Sequence, residues 1–190
     1  WGWRGNDYAF LEKIQTLKKV DILTGGHSKG LDSLTRLPAL VELSVTTATI
    51  DKPLDFSKCT MLKKCFVSWK KQYADIFNHS TLEELYIDGL DAEFNPQLAQ
   101  LTQLRFLQLA NTKITDIDFL RNYLDLKWLT LENCKKIADF SPVGSLQDLW
   151  WLTISGSPQM RNIDFLSTLT KLHSLSLSDN KEVLSIKSLH

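Results

Sequence analysis

The chain has 190 residues, 43% hydrophobic and 23% charged, which is ordinary for a folded soluble protein with one substantial core. Lys plus Arg and Asp plus Glu both number 22, so the formal net charge is zero and no bulk field draws the chain to nucleic acid or an anionic membrane. No apolar run approaches the roughly 18 residues of a membrane span, so no membrane insertion is expected.

In chain order, residues 1–16 read as a partial repeat: Leu11, Ile14 and Leu17 form the tail of a unit whose strand is missing. Trp1, Trp3, Tyr8 and Phe10 are expected to fold over this end as a cap. Trp1 in place of Met leaves room for trimming or a removed leader. From residue 17 a frame LxxLxL recurs, at Leu17-Val20-Ile22, Leu40-Leu43-Val45, Leu62-Cys65-Val67 and Leu82-Leu85-Ile87. It continues at Leu104-Leu107-Leu109, Leu126-Leu129-Leu131, Leu149-Leu152-Ile154 and Leu172-Leu175-Leu177. The eight starts are separated by 23, 22, 20, 22, 22, 23 and 23 residues, so residues 17–190 read as eight repeats in one continuous domain. Each frame predicts a short parallel strand.

The second half of each unit steps its apolar residues by three: Leu31, Leu34, Leu37; Ile114, Ile117, Leu120, Tyr123; Ile137, Phe140, Val143, Leu146; Met160, Ile163, Leu166, Leu169; and Val183, Ile186, Leu189. A period of three fits tight 3₁₀ turns, since an α-helical stripe would follow 3.6. No unit can bury its apolar side alone, and stacking makes one core. The C-terminal end shows no polar cover, so the uncapped repeat ends are expected to permit self-association.

The strings Ile114-Thr115-Asp116-Ile117-Asp118-Phe119-Leu120, Ile137-Ala138-Asp139-Phe140-Ser141-Pro142-Val143 and Asn162-Ile163-Asp164-Phe165-Leu166 resemble the turn of 22-residue leucine-rich repeats. Such repeats occur in bacterial internalins and in Sds22-type phosphatase regulators. The resemblance covers residues 11–189. It implies an α/β solenoid: a right-handed leucine-rich-repeat horseshoe with one parallel sheet on the concave face and 3₁₀ or irregular turns on the convex face. The ninth position of each unit, usually Asn in that family, is Gly25, Ala48, Lys70, Leu90, Thr112, Cys134, Ser157 and Asn180. The last four can hydrogen-bond to neighbouring loop backbone as the family's ladder does, and the first four mostly cannot. Regular repeats are therefore expected after about residue 100, and the 20-residue unit from Leu62 should be the least regular.

Chemistry is sparse. No HExxH, GxSxG, phosphate-loop or GxGxxG pattern is present, and His27, His79, His173 and His190 are scattered. Cys59, Cys65 and Cys134 fall on inward or ladder positions and read as buried structural thiols. Their odd number favours a reducing compartment, although buried thiols are compatible with secretion. Asp116, Asp118, Asp139 and Asp164 share a turn position that suits backbone hydrogen bonding better than acid–base or calcium chemistry. No enzyme activity, cofactor or metal is expected.

Within LxxLxL the third and fifth residues point to the concave face. The third position runs Lys19, Glu42, Lys64, Glu84, Phe106, Trp128, Trp151, Ser174, and the fifth Asp21, Ser44, Phe66, Tyr86, Gln108, Thr130, Thr153, Ser176. Phe106, Trp128 and Trp151 thus share one position on consecutive strands. Phe66 and Tyr86 continue the stripe diagonally, with Trp69 and Trp150 at its borders. Arg105 and Lys127 supply a basic flank, and Glu83, Glu84 and Asp88 an acidic one. Aromatic anchors with a mixed-charge rim point to a protein partner. A carbohydrate or peptide ligand stacking on the same tryptophans, and a structural spacer within a larger protein, are the alternative readings.

Overall fold

The computed structural model describes residues 5, 7–23, 26–46, 49–50 and 52–180. Trp1, Trp3, Gly25, Ala48, Val183, Ile186 and Leu189 therefore lie outside the described residues. The chain forms two compact units, Trp1–Leu82 and Glu83–His190.

In the first unit β1 (Lys19–Leu23), β2 (Glu42–Thr46) and β3 (Lys64–Ser68) pair in parallel, in sequence order. The inward positions stack in register: Val20 on Leu43 on Cys65, and Ile22 on Val45 on Val67. Near the start, Tyr8 is buried, its amide donating to the Lys29 carbonyl at 2.9 Å and its own carbonyl accepting from the Ser33 hydroxyl at 2.8 Å. Phe10, the other described member of the expected cap, stays exposed. In the second unit β4 (Glu84–Asp88), β5 (Phe106–Ala110), β6 (Trp128–Glu132), β7 (Trp151–Ser155) and β8 (Ser174–Ser178) also pair in parallel and in order. Every strand has five residues, as a frame with two inward apolar positions dictates.

The apolar step of three is visible directly in the backbone. Leu120, Tyr123 and Leu126 each donate an amide hydrogen bond to the carbonyl three residues earlier, at 3.0, 3.0 and 3.3 Å. Val143, Leu146 and Leu149 repeat the pattern at 3.0, 3.1 and 2.9 Å. Three residues per turn put every third side chain on one line, so one apolar residue per turn reaches the core. The result is compact 3₁₀ segments, among them Leu31–Arg36, Asp118–Asn122, Ser141–Ser145 and Asp164–Thr168. Among the described residues the one α-helical piece is Asn95–Leu98, and no helix is long and apolar enough to cross a membrane.

After each strand of the second unit the chain reverses through a left-handed residue: Gly89, Asn111, Asn133, Gly156 and Asp179 have φ of 84°, 53° or similar positive values (50° at Asn111, 60° at Gly156, 52° at Asp179). Only Gly, Asn and Asp adopt this conformation readily, which explains the residue types at that position. Two of these side chains build a ladder, Asn133 Nδ2 donating to Asn111 Oδ1 at 3.1 Å and Asn111 Nδ2 to Asp88 Oδ1 at 2.6 Å. At Gly156 a Cβ would come within 2.3 Å of Asn133 Oδ1, so a larger residue there would have to displace the Asn133 amide from the ladder. The ninth-position residues form the neighbouring ladder. Thr112 Oγ1 donates to the Leu90 carbonyl at 3.2 Å, and Asn180 bridges the Ile154 carbonyl and the Ser157 amide, both at 2.9 Å.

The unit that starts at Leu62 has Trp69 at the reversal position, and it proceeds into an eight-residue 3₁₀ run, Lys71–Asn78. Inside it the Tyr73 hydroxyl is buried with no hydrogen-bond partner among the described residues. The Tyr123 hydroxyl, equally buried, donates to the Leu98 carbonyl at 2.5 Å. An unsatisfied hydroxyl contributes only its desolvation cost. Tyr73→Phe should therefore leave the unfolding free energy unchanged or raise it by up to about 1 kcal/mol, whereas Tyr123→Phe should lower it by roughly the same amount. Paired urea titrations of the two variants check this.

Cys59, Cys65 and Cys134 are free and buried. Burial pushes the Cys59 thiol up to about 11 and the Cys134 thiol up to about 12, and raises Cys65 further. Little thiolate exists near neutrality, so a disulfide-exchange reagent should react slowly with the native chain and should count three thiols after denaturation without reductant. A count of one would reveal an intramolecular disulfide.

Candidate functional site

The second unit's sheet places residues of the third strand position outward in a row. Phe106, Trp128 and Trp151 occupy matching register positions on β5, β6 and β7. The Phe106 and Trp128 rings lie 5.9 Å apart at 40°, and the Trp128 and Trp151 rings 4.4 Å apart at 10°, which is face-to-face stacking. Each tryptophan remains 37% exposed, and Phe106 is half-buried. Because the ring separation matches the strand spacing of roughly 4.8 Å, the rings stand up from the sheet like leaves of a book and show solvent their edges. Trp151 Nε1 donates to Thr153 Oγ1 at 3.1 Å, which fixes that indole.

Along the edge where the strands begin, the second position reads Glu83, Arg105, Lys127, Trp150, His173. Trp150 is 56% exposed and meets the His173 ring edge-on at 4.9 Å. Lys127 does not stand as a bare cation. Its ammonium and that of Lys171 both hydrogen-bond to Asp148, each at 2.5 Å, and together they hold the Asp148 carboxyl down at about 2. Lys127→Ala should move the Asp148 titration, followed by carboxyl-carbon NMR, up toward the ordinary carboxylate range. Arg105 is exposed, and the Glu83 carbonyl accepts from the amides of Arg105 and Phe106.

Further along the same face, Tyr86 on β4 is half-buried beside Gln108 of β5. Burial raises its phenol, and the nearby Asp88 and Glu132 carboxylates raise it further. The fifth-position Thr130 is buried, so the face dips between the aromatic row and the carboxylates.

The first unit corrects one expectation. Trp69 is not a border residue of an exposed stripe. It is 6% exposed and packs against Phe77 with ring centres 5.4 Å apart. In this unit, two residues shorter than its neighbours, the indole fills the turn. Phe66 is half-buried on β3, in register with Ser44.

On the turn side, a shallow cleft of about 380 Å³ lies over Phe140 and Phe165, with Arg121, Arg161 and Gly144 at its rim. Its charged groups are partly engaged: Arg121 pairs with Asp118, and Asp139 accepts from the Ser141 amide and hydroxyl at 2.8 and 3.0 Å. The Ser141 bonds hold the Asp139 carboxyl below its ordinary range, as expected of a turn-forming aspartate. Among the described residues, no group of three or more His, Cys, Asp and Glu side chains converges as a metal-ligand set.

No protein-family model and no curated protein matches the sequence. Among solved structures, an internalin (inlF) from Listeria monocytogenes superposes with a TM-score of 0.69 at 25% identity, over 92% of this chain and 52% of that one. The chain is a leucine-rich-repeat protein of internalin-like fold. It spans about half the length of that internalin. Internalin C2 from the same organism matches the leucine-rich-repeat chain with a TM-score of 0.71 at 19% identity, over 94% of this chain and 78% of that one. A plant peptide hormone receptor, RGFR1 in complex with RGF2, matches with a TM-score of 0.65 at 16% identity, over 90% and 30% of the respective chains. These last two likenesses concern the leucine-rich-repeat fold alone.

Proposed function

We propose that this protein is a non-catalytic protein-interaction module whose partner seats on the aromatic row Phe106, Trp128 and Trp151. The observation that carries this reading is that two tryptophans on adjacent strands are stacked in register while more than a third of each stays exposed. Stacking pre-orders the rings, so a partner loses little side-chain entropy when it covers them. Trp150 and Arg105 lie at the rim, Lys127 acts there through its link to Asp148, and Tyr86 extends the surface on β4. The internalin-like fold and the peptide-bound receptor of similar fold are in keeping with this use.

A carbohydrate ligand receives less support. Sugars stack on ring faces, and here Trp128 and Trp151 cover one face of each other while Phe106 lies against Trp128, leaving only the Trp151 face toward Ser174 for such stacking. The test is affinity capture with mass spectrometry, using the wild-type chain and Trp128→Ala and Trp151→Ala variants as parallel baits. A protein retained by wild type and lost from both variants supports the reading. Equal capture by all three baits would move the interface elsewhere.

A further inference from the structure

The outward positions of β4 to β8 hold the carboxylates Glu84, Asp88 and Glu132 and not one Lys or Arg, in a chain whose overall charge is zero. The corresponding positions of β1 to β3 are balanced, with Lys19 and Lys64 against Asp21 and Glu42. Asp88 and Glu132 carry no ion pair among the described residues; Asp88 accepts a hydrogen bond from the Asn111 amide group. Both sit at the seventh position, on β4 and β6, and the residue between them in register on β5 is Ala110. Ala110 is buried, while Asp88 and Glu132 on either side of it stay half-buried, so two carboxylates roughly 10 Å apart lie within reach of one long cationic side chain. The Tyr86 phenol lies near enough for both carboxylates to act on it.

The aromatic row offers a second preference of the same sign. The register partner of Trp151 on its far side is Ser174, whose side chain is too small to stack on that indole. An open indole face attracts cations. Position three and position seven lie four residues apart along a strand, roughly 13 Å. We infer that the occupant of this face is a basic protein segment: an apolar residue covers the edges of Phe106 and Trp128, and an Arg or Lys about 13 Å away along the strand direction pairs with Asp88 and Glu132. This rests on the aromatic-face reading above and adds the partner's chemistry to it.

The test uses the full chain and three short labelled peptides of equal length, alternating leucine with arginine, glutamate or serine, titrated by fluorescence anisotropy. The arginine peptide should bind about tenfold more tightly than the serine peptide, the glutamate peptide more weakly, and the advantage should shrink as salt is raised. Asp88→Asn combined with Glu132→Gln, which keeps size and the Asn111 contact, should abolish the preference for arginine and leave the serine peptide's affinity unchanged. Equal binding of the arginine and serine peptides, a preference that survives the double variant, or no binding of any peptide would overturn the inference. The aromatic reading is scored separately: Trp128→Ala should weaken all three peptides alike, and its failure to do so would count against the row and not against the charge.

Discussion

Leu129→Ala should lower the stability of the folded chain by roughly 2–5 kcal/mol. Leu129 is fully buried on β6, in register between Leu107 of β5 and Leu152 of β7, so its side chain touches the layers on both sides. Removing three carbons from such a layer loses their transfer free energy and leaves a cavity that flanking strands cannot close without breaking register. For a chain of this size each kcal/mol corresponds to roughly 2–4 °C in melting temperature, so the shift is easily measured by calorimetry or urea titration. Leu107→Ala should behave alike. Ser176→Ala, on the exposed face of β8, is the matched control and should change little. A midpoint for Leu129→Ala equal to wild type would mean that the inward positions of the frame have been misassigned.

Trp128→Ala should weaken partner binding by about 2 kcal/mol or more, roughly 30-fold in Kd. Trp128 is the middle ring of the row, with Phe106 on one side and Trp151 on the other, so its removal also frees both neighbours to change rotamer. The stability loss should stay near the stacking contribution, about 0.5–1.5 kcal/mol, because the side chain is not part of the inward layer. Measuring melting temperature and affinity on the same variant separates the two roles. A large drop in melting temperature with affinity intact would make the tryptophans structural and remove the aromatic face as the interface. Changing Glu83 or Lys127 should act mainly on association rate and its salt dependence.

The strands were legible because the frame LxxLxL leaves a period-two trace that nothing else in the chain imitates. The turns were legible for a comparable reason: Ile117, Leu120, Tyr123 and Leu126 are linked one to the next by backbone hydrogen bonds, so their spacing is the bond pattern itself. The outward row followed from the same register. What escaped was decided by side chains rather than by period. Gly89, Asn111, Asn133, Gly156 and Asp179 recur at one position and already spell a left-handed residue, a signal that attention to the ninth position obscured. Trp69 sits at that same position in the shortened unit, where an indole cannot take the left-handed turn and instead enters the core. The coupling of Lys127 and Lys171 through Asp148 joins residues more than twenty apart along the chain, and only the stacked geometry brings them together.

The uniform strand pairing also turns the aromatic row into a grating with a fixed line spacing. The strands that bear the rings repeat every ~4.8 Å, whereas a helix laid across those strands repeats its contacts every ~5.4 Å. Over the two steps from Phe106 to Trp151 the two rulings drift by only about 1 Å, which side-chain adjustment absorbs. Over all four steps from β4 to β8 the drift reaches about 2.4 Å, half a line, and crests meet crests. A crossing helix thus keeps best step with about three strands, the width of the row Phe106, Trp128 and Trp151.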